Sequence, residues 1–305
     1  MSYRITDVHI HIQPFHQLKP PVMEVMRRGK EKHWEFLIAL MGDPKLLLRT
    51  MDEQGIQRVG MVNYPSPNIM GFDFSTNAFA ADYAKADPKR LIPYGGVDPV
   101  TTKDARGQVK ELAAMGTRML KLHPPHQGFA ANAYTDGLTS LRDIYATCSD
   151  LGLPVLVHTG TSIFPGARSK YGNPMELDDV AIDFPSLRIV MAHGGRPLYM
   201  QEAFFILRRH RGMMLDLSGI PPRSLLEYFP RVSELADQLL WGTDWPSPGV
   251  ESMQKNVEQF LALPLADDVK RKALETNPER LLPTYRASAT TTRRTSGCTI
   301  PSPPA

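Results

Sequence analysis

The sequence has few of the features that mark secreted or membrane proteins. It contains only two cysteines, Cys148 and Cys298, in 305 residues. Because Cys148 falls within a helical pattern and Cys298 lies near the C-terminus, we expect no structural disulfide and a reducing, cytoplasmic setting. No run approaches about 18 consecutive apolar residues, so a transmembrane helix is not expected. A strand pattern that starts by residue 5 leaves no room for a signal peptide.

The chain also lacks a marked excess of charge of either sign. The formal net charge is +3, but Arg286, Arg293 and Arg294 lie in a C-terminal segment without acidic residues, which leaves 32 basic and 32 acidic residues in the body. A neutral body gives no electrostatic case for binding nucleic acid. With 42% hydrophobic and 22% charged residues, the composition is that of a soluble globular protein.

Apolar segments with the character of β-strands alternate with helical patterns along the chain. After the first gap they follow one another at roughly 25 to 35 residues, the length of one strand–helix unit. Eight such units predict an α/β fold, a (β/α)₈ TIM barrel over residues 1–283, although alternation alone also permits a doubly wound sheet. The predicted strands are 5–11, 58–64, 91–98, 117–123, 154–159, 188–193, 212–218 and 238–243.

Two segments fall outside this repeating unit. Residues 14–42 form an insertion after the first strand, either a lid over a site or a surface helix pair. Residues 284–305 are rich in Ser, Thr and Pro and poor in apolar residues. We therefore expect them to form a disordered C-terminal tail.

Polar side chains gather at the ends of the predicted strands. His9 and His11 lie two residues apart in ITDVHIH, and side chains of a strand alternate, so both imidazoles face the same way. His158, His193 and Asp244 each end an apolar run and precede a Gly or Pro turn. Because barrel active sites lie at the C-terminal ends of the strands, this placement favours the barrel over the doubly wound sheet.

These side chains have the composition of a metal site. His9, His11, His158 and Asp244 together offer three imidazole nitrogens and one carboxylate, which suits Zn²⁺ or another first-row divalent cation. His193, at a neighbouring strand end, can be a fifth ligand, a general acid–base or a hydrogen-bond donor to a substrate oxygen. Any one of these histidines could equally be a core residue, but their joint occurrence at successive strand ends is hard to explain in that way.

Lys121 and His123 lie at the end of the fourth predicted strand, in MLKLHPP. Alternation places both side chains on the face of Met119. A lysine directed into a barrel mouth is costly to bury unless it is paired. Lys121 can bind a substrate carboxylate, pair with Asp244, be carboxylated and bridge two metals, or reach solvent with its amine. His126, after the turn, is expected at the rim.

Further candidates surround this set. Arg196 follows the His-Gly-Gly turn and can bind a carboxylate in bidentate fashion or simply face solvent. Asp216 on the seventh predicted strand can orient a ligand histidine, and Trp245 can wall a pocket or pack in the core. The residues expected to contact substrate are Lys121, His123, Arg196 and Trp245.

The ordered set of strand-end motifs resembles the amidohydrolase superfamily, and within it the amidohydrolase-related branch that includes aminocarboxymuconate semialdehyde decarboxylase. The resemblance spans nearly the whole of residues 1–283. The H-x-H of the family falls on His9 and His11, its strand 5 histidine on His158, its A-H-G-G histidine on His193 and its G-T-D-x-P aspartate on Asp244. In relatives with one metal, the resemblance implies that His9, His11, His158 and Asp244 hold Zn²⁺ or a similar cation, with His193 beside it.

The resemblance also leaves the number of metal ions open. In relatives with two metals, a carboxylated lysine on strand 4 bridges the ions, and the histidines matching His158 and His193 bind the second. Lys121 lies on the corresponding strand. We therefore expect one divalent ion, first of all Zn²⁺, or two if Lys121 is carboxylated.

The branch contains hydrolases of C–N or C–O bonds and C–C lyases that act on carboxylic acids. We expect a metal-dependent hydrolase of an amide, lactone or ester-like bond in a small, carboxylated molecule, with catalytic roles for His193, Asp244 and Lys121. The alternative is a metal-dependent non-oxidative decarboxylase. A third hypothesis is a non-catalytic metal- or ligand-binding barrel. The expected partner is a small-molecule substrate, with no nucleic acid and no membrane, and the sequence is compatible with a homo-oligomer.

Overall fold

Eight parallel strands pair in chain order around the molecule. The computed structural model describes residues 3–284, so the predicted tail, apart from Thr284, lies outside the described residues. The strands are β1 Ile5–Ile10, β2 Ile56–Met61, β3 Leu91–Gly95, β4 Met119–Leu122, β5 Val155–His158, β6 Ile189–Ala192, β7 Met214–Asp216 and β8 Leu239–Leu240.

Residues just beyond β8 bond to β1 and so close the ring. Val8 N donates to Trp241 O at 3.1 Å, and Ile10 forms a parallel bridge with Trp245. The strand order never reverses, as it would in a doubly wound sheet. The (β/α)₈ barrel is therefore confirmed.

Helices follow the strands and cover the outside of the barrel. Their bounds are α1 Pro20–Arg27, α2 Trp34–Gly42, α3 Pro44–Glu53, α4 Thr76–Ala84, α5 Ala105–Ala114, α6 Pro124–Gln127, α7 Thr139–Leu151, α8 Glu176–Asp183, α9 Met200–Arg209, α10 Leu225–Tyr228, α11 Met253–Leu261, α12 Asp267–Arg271 and α13 Asn277–Leu281. No helix among residues 3–284 is long and apolar enough to cross a membrane.

The core has two layers, which follow from the alternation of side chains in each strand. One buried cluster fills the inside of the barrel and contains Met119, whereas Leu120 and Leu122 belong to the larger cluster between strands and helices. Lys121 lies two residues after Met119, so it points into the barrel as predicted. The inner cluster consists of Val8, Val62, Tyr64, Ile92, Tyr94, Met119, Leu156, Val190, Ala192, Met214, Leu240, Leu281 and Leu282.

Several strands end earlier than predicted. β1, β4 and β8 end at Ile10, Leu122 and Leu240, so His11 and His123 lie just beyond their strands, whereas His9 and Lys121 lie within them. The backbone is left-handed at His193 after β6 and at Asp244 after β8, with φ of 69° and 68°. Strand pairing cannot continue through that conformation, so β6 and β8 end before these residues.

The 14–42 insertion contains α1 and α2. Phe15 and Trp34 stack with ring centroids 5.9 Å apart, and Met26 of α1 is buried and lines a cavity at the barrel mouth. The segment is thus a helix pair that also forms part of a cavity wall.

Candidate active site

A cavity of about 490 Å³ opens at the C-terminal ends of the strands. In a barrel of parallel strands the loops that follow the strands converge at this end, so side chains from distant parts of the sequence meet there. The predicted residues that line it are His9, His11, Lys121, His123, His158, His193, Arg196 and Asp244.

His9, His11 and Asp244 form a cluster whose geometry fits a metal ion. One donor atom from each lies within 4.8 Å of the others. Asp244 Oδ1 is 2.9 Å from His11 Nε2 and 3.3 Å from His9 Nε2. Donor atoms that each lie about 2.1 Å from one ion are about 3.0 to 3.4 Å apart at octahedral to tetrahedral angles. His9 Nε2 is buried without a hydrogen bond to any of residues 3–284, as expected of an atom whose partner is an ion.

Asp216 fixes the orientation and protonation of His9. His9 Nδ1–H donates to Asp216 Oδ2 at 2.5 Å, and both side chains are buried. Burial lowers the pKa of His9 despite the opposing charge of Asp216. Burial opposes ionisation of Asp216, but its close pairing with His9 and the hydrogen bond from Ser218 N keep the pKa of Asp216 below its usual value. Neutral His9 therefore turns the lone pair of Nε2 toward Asp244, the arrangement that metal-binding histidines require.

Ser218 extends this support to His193. Its backbone carbonyl accepts a hydrogen bond from His193 Nδ1 at 2.7 Å. Its hydroxyl donates to Asp216 at 2.9 Å and lies 3.0 Å and 3.1 Å from Nδ1 of His9 and His193. Burial lowers the pKa of His193 well below its ordinary value. The ring is therefore neutral, with Nδ1 protonated and Nε2 free to accept a proton.

The backbone of Asp244 is held from β1. Asp244 N donates to His9 O at 2.8 Å. Asp7 accepts hydrogen bonds from Thr243 N at 3.0 Å and Thr243 Oγ1 at 2.6 Å. A non-glycine residue with positive φ costs about 1 to 3 kcal/mol, so surrounding bonds of this kind are needed to keep it there. For the Asp244 carboxyl itself, burial opposes ionisation, but the hydrogen bond with His11 and the nearby imidazoles of His193 and His9 together outweigh it, so its pKa lies well below its usual range.

A stack of three imidazoles forms the opposite side of the cavity. The rings of His126, His123 and His158 follow one another with centroids 3.5 Å and 3.8 Å apart. Tyr64 OH lies 2.9 Å from His126 Nδ1, and His126 Nε2 lies 2.7 Å from Ser162 Oγ. Burial lowers the pKa of His126 to about 3. The expectation that His126 lies at the rim is wrong, since it is only 4% exposed and the turn carrying it folds back under the loops.

Buried groups beside this stack have no hydrogen-bond partner among residues 3–284. They are Lys121 Nζ, His123 Nδ1 and both nitrogens of His158. Burial lowers the pKa of Lys121 to about 8, against the attraction of Asp216 and Asp244, so the amine is largely charged at neutral pH. No ion pair between Lys121 and Asp244 forms in the described part of the chain. His158, predicted as a metal ligand, lies outside the three-residue cluster, 4.6 Å from His193 between ring centroids.

Arg196 reaches the cavity because residue 219 is a glycine. A Cβ at Gly219 would lie 2.6 Å from the guanidinium of Arg196 and 3.0 Å from His193 Nδ1. Arg196 Nε is buried without a partner in the described chain, so the guanidinium has a free donor beside His193. Trp245, in contrast, is buried in the core and is not among the described residues that line the cavity. The carbonyl of Trp245 accepts a hydrogen bond from His11 N at 2.7 Å. Trp245 therefore supports the site through its backbone and not through its indole ring.

Sequence reasoning missed Ser218 and Tyr64. A signal for Ser218 was present, because Asp216 and Ser218 are two residues apart at the end of a strand, as are His9 and His11. No pattern in the sequence marks Tyr64, whose role depends on the folding back of the turn after β4.

Comparison with known proteins gives an independent view of this site. A family model described as Amidohydrolase matches residues 6–284. This match confirms the resemblance inferred from the strand-end motifs. The comparison with curated proteins finds no match.

Solved structures share the fold over nearly their full length. An uncharacterised TIM-barrel protein from Bordetella bronchiseptica is 27% identical, with a TM-score of 0.73 over 91% of this chain and 98% of its own. A 5-carboxyvanillate decarboxylase from Sphingomonas paucimobilis is 17% identical, with a TM-score of 0.64 over 93% and 100%. A probable 2-pyrone-4,6-dicarboxylic acid hydrolase from Acinetobacter baumannii, with citric acid bound, is 17% identical, with a TM-score of 0.63 over 92% and 99%.

Proposed function

We propose that this chain, which belongs to the amidohydrolase family, is a metal-dependent hydrolase of an amide, lactone or ester-like bond in a small, carboxylated molecule. The observation that carries the proposal is His193, a neutral base whose ring centroid lies 5.1 Å from that of His9 in the metal-compatible cluster. Family membership makes the chain an enzyme, and the position of His193 supports hydrolysis as its reaction.

His9, His11 and Asp244 are the residues that would hold one divalent metal, and His158 is the candidate for a fourth ligand. When bound, the metal supplies a Lewis acid that polarises a carbonyl oxygen and acidifies water. Structures of similar fold contain manganese in a 5-carboxyvanillate decarboxylase from Novosphingobium aromaticivorans and zinc in an amidohydrolase from Burkholderia multivorans. Zn²⁺ remains our first choice, with a second ion only if Lys121 is carboxylated.

His193 moves the proton in this proposal. Its Nδ1–H is committed to Ser218 O at 2.7 Å, so Nε2 accepts the proton of the attacking water. The water oxygen then bonds to the carbonyl carbon, the bond to the leaving nitrogen or oxygen breaks, and His193 returns the proton to that atom. Asp244, held ionised, is the alternative acceptor for the first transfer.

Lys121, His123 and Arg196 are proposed to bind the substrate. Lys121 Nζ and Arg196 Nε are buried donors without partners in residues 3–284. Leaving such groups unpaired costs about 1 to 3 kcal/mol each, more when they are charged, and a substrate carboxylate would supply the missing acceptors. The cationic lining therefore favours an anionic molecule. With only two cysteines in the chain, a reducing compartment such as the cytoplasm is the proposed location.

Non-oxidative decarboxylation is the second candidate, and Lys121 is the observation that favours it. A buried, unpartnered ammonium can hold the carboxylate that leaves as CO₂. The C–C bond breaks, its electron pair stays on the substrate carbon, and that carbon gains a proton. A similar fold serves a named decarboxylase as well as a probable hydrolase.

The two reactions are separated by the fate of water oxygen. We expect metal-loaded protein, incubated in ¹⁸O water with small lactones, amides and esters that carry a carboxylate, to place one ¹⁸O in the new carboxyl group and release no CO₂. The substitution His193→Asn should lower kcat by about 10²-fold or more because it removes the base, while metal content and melting temperature stay close to wild type.

The matched control is His210→Asn, a histidine that contacts Asp178 at 2.6 Å outside the cavity and should leave kcat unchanged. CO₂ release from a carboxylated substrate without ¹⁸O incorporation would replace the hydrolase with the decarboxylase. If His193→Asn keeps its activity and only melts at a lower temperature, His193 is a core residue.

A further inference from the structure

Lys30 links the 14–42 insertion to a single neighbouring loop of the cavity wall. It lies between α1 and α2, and its ammonium donates to the carbonyls of Pro246 at 2.5 Å, Ser247 at 2.9 Å and Val250 at 3.0 Å. An ammonium has three N–H donors and no acceptor. All three donors are therefore used by residues 246–250.

The cation is held by carbonyl dipoles rather than by a carboxylate. Among residues 3–284 Lys30 forms no ion pair; burial lowers the pKa of Lys30 to about 8, and the charge of Asp244 only partly opposes that shift. Ordering a lysine side chain costs conformational entropy, and hydrogen bonds from a charged donor are stronger than those from a neutral one. Three such bonds to one loop make Lys30 a crosslink between two segments.

The loop that Lys30 holds continues directly from Asp244. Ser247 N donates to Asp244 O at 2.7 Å, and Val250 N donates to Ser247 O at 3.1 Å. Ser247 and Val250 also line the cavity. Upstream, the backbone of Asp244 is tied to β1 through His9 O. Lys30 holds the residues that follow Asp244 through its hydrogen bonds to the loop 246–250.

We propose that Lys30 is a positioning residue that fixes the loop 246–250, and through it the left-handed backbone of Asp244, by anchoring that loop to the insertion. The insertion is then a fixed wall of the cavity rather than a lid that opens in each turnover. Met26, which lines the cavity from α1, is placed by the same crosslink. The inference rests on the proposed function only where Asp244 is treated as a metal ligand.

Hydrogen–deuterium exchange of the protein without substrate tests the crosslink directly. In Lys30→Met, which keeps the stem and removes the donors, we expect the amides of residues 244–252 and of the turn after α1 to exchange about 10-fold faster or more, while the strands are unchanged. Zn²⁺ affinity should fall about 10-fold, as is typical when the support of a ligand is removed. Lys30→Arg, which keeps a cationic donor, should recover part of the slow amide exchange and part of the Zn²⁺ affinity.

The control is Lys19→Met, in the same insertion, because Lys19 donates to one carbonyl only, that of Asn68 at 2.6 Å. It should change neither measurement. Unchanged exchange in 244–252, or an equal rise throughout the barrel, would overturn the proposal. If Lys30→Met does not fold, Lys30→Gln, which keeps two donors, is measured by the same criteria. Because exchange is read without turnover, failure of the hydrolase assignment leaves this test intact.

Discussion

The two sides of the cavity differ in how their buried polar groups are satisfied. The first side, which we name the carboxylate half, comprises His9, His11, Asp216, Ser218 and Asp244. The second side, the basic half, comprises Lys121, His123, His126 and His158. In the carboxylate half each histidine has one nitrogen next to a carboxylate, and two nitrogen atoms, His9 Nε2 and His11 Nδ1, have no hydrogen-bond partner within residues 3–284. In the basic half no carboxylate is present, and four nitrogen atoms have no partner within residues 3–284.

This difference indicates what each half is built to hold. The carboxylate half is organised before any ligand arrives, because Asp216 and Ser218 orient His9 and His193 through short hydrogen bonds. Such preorganisation suits a resident cation. The basic half has an unmet need for acceptors, and a buried polar group without a partner costs about 1 to 3 kcal/mol. We propose that an anionic substrate supplies these acceptors when it binds.

The largest expected effect comes from removing the histidines of the carboxylate half. In the double variant His9→Ala/His11→Ala, metal affinity should fall by at least about 100-fold, and activity should fall with it, because two of the three clustered donors are gone. Elemental analysis of the purified protein measures the metal, and circular dichroism checks that the barrel is folded. His123→Ala, in the basic half, should keep its metal. Full metal occupancy in the double variant would show that the carboxylate half does not hold the metal.

A smaller effect is expected from the residue that orients His9. Asp216→Asn keeps the shape of the side chain but loses the charge that fixes Nδ1–H of His9, so metal affinity should fall about 10- to 100-fold. Competition with a chelator measures it. Asp98→Asn is the control, because that buried carboxylate accepts a hydrogen bond from Val100 in its own loop and should not alter affinity. Equal affinities in both variants would show that the support of His9 is unnecessary.

The smallest effect on function is expected in the basic half, where the substitution should also stabilise the fold. Lys121→Met should raise KM for a carboxylated substrate about 10-fold, yet raise the free energy of unfolding by about 1 kcal/mol, because it removes a buried, unpaired charge. Arg58→Met, which removes the buried partner of the half-exposed Glu279, 2.7 Å away, should instead lower it. Denaturant unfolding distinguishes the two, and a destabilised Lys121→Met would mean that Lys121 has a structural role.

The same lysine predicts a dependence of stability on pH. Burial lowers the pKa of Lys121 from 10.5 to about 8 in the folded chain. Between these two values the unfolded chain binds more protons than the folded chain, so this group makes stability rise as the pH increases from about 8 to 10.5. Lys121→Met should lack that rise, and unfolding measured across this range would reveal it.

Much of the fold and of the metal-compatible cluster could be predicted from the sequence. Strand periodicity is local, and parallel strands bring their C-terminal ends to one side of a barrel whatever their separation along the chain. This is why His9, His11 and Asp244 could be placed together from motifs 233 residues apart. The inward direction of Lys121 followed in the same way from alternation in β4.

Other features were decided by contacts that no local pattern encodes. Trp245 occupies the core instead of the cavity wall, and the turn after β4 carries His126 into a buried stack. Ser218 contacts both His9 and His193 only because the residues at the C-terminal ends of β1, β6 and β7 lie close together in the barrel. Lys30 finds its three carbonyls in a loop 216 to 220 residues away. The sequence by itself determined which polar residues lie at or just beyond the C-terminal ends of the strands, since that depends on periodicity, although it did not fix the last residue of each strand. Only the tertiary structure decided which of them share hydrogen bonds, since that depends on how the closed barrel and its loops pack.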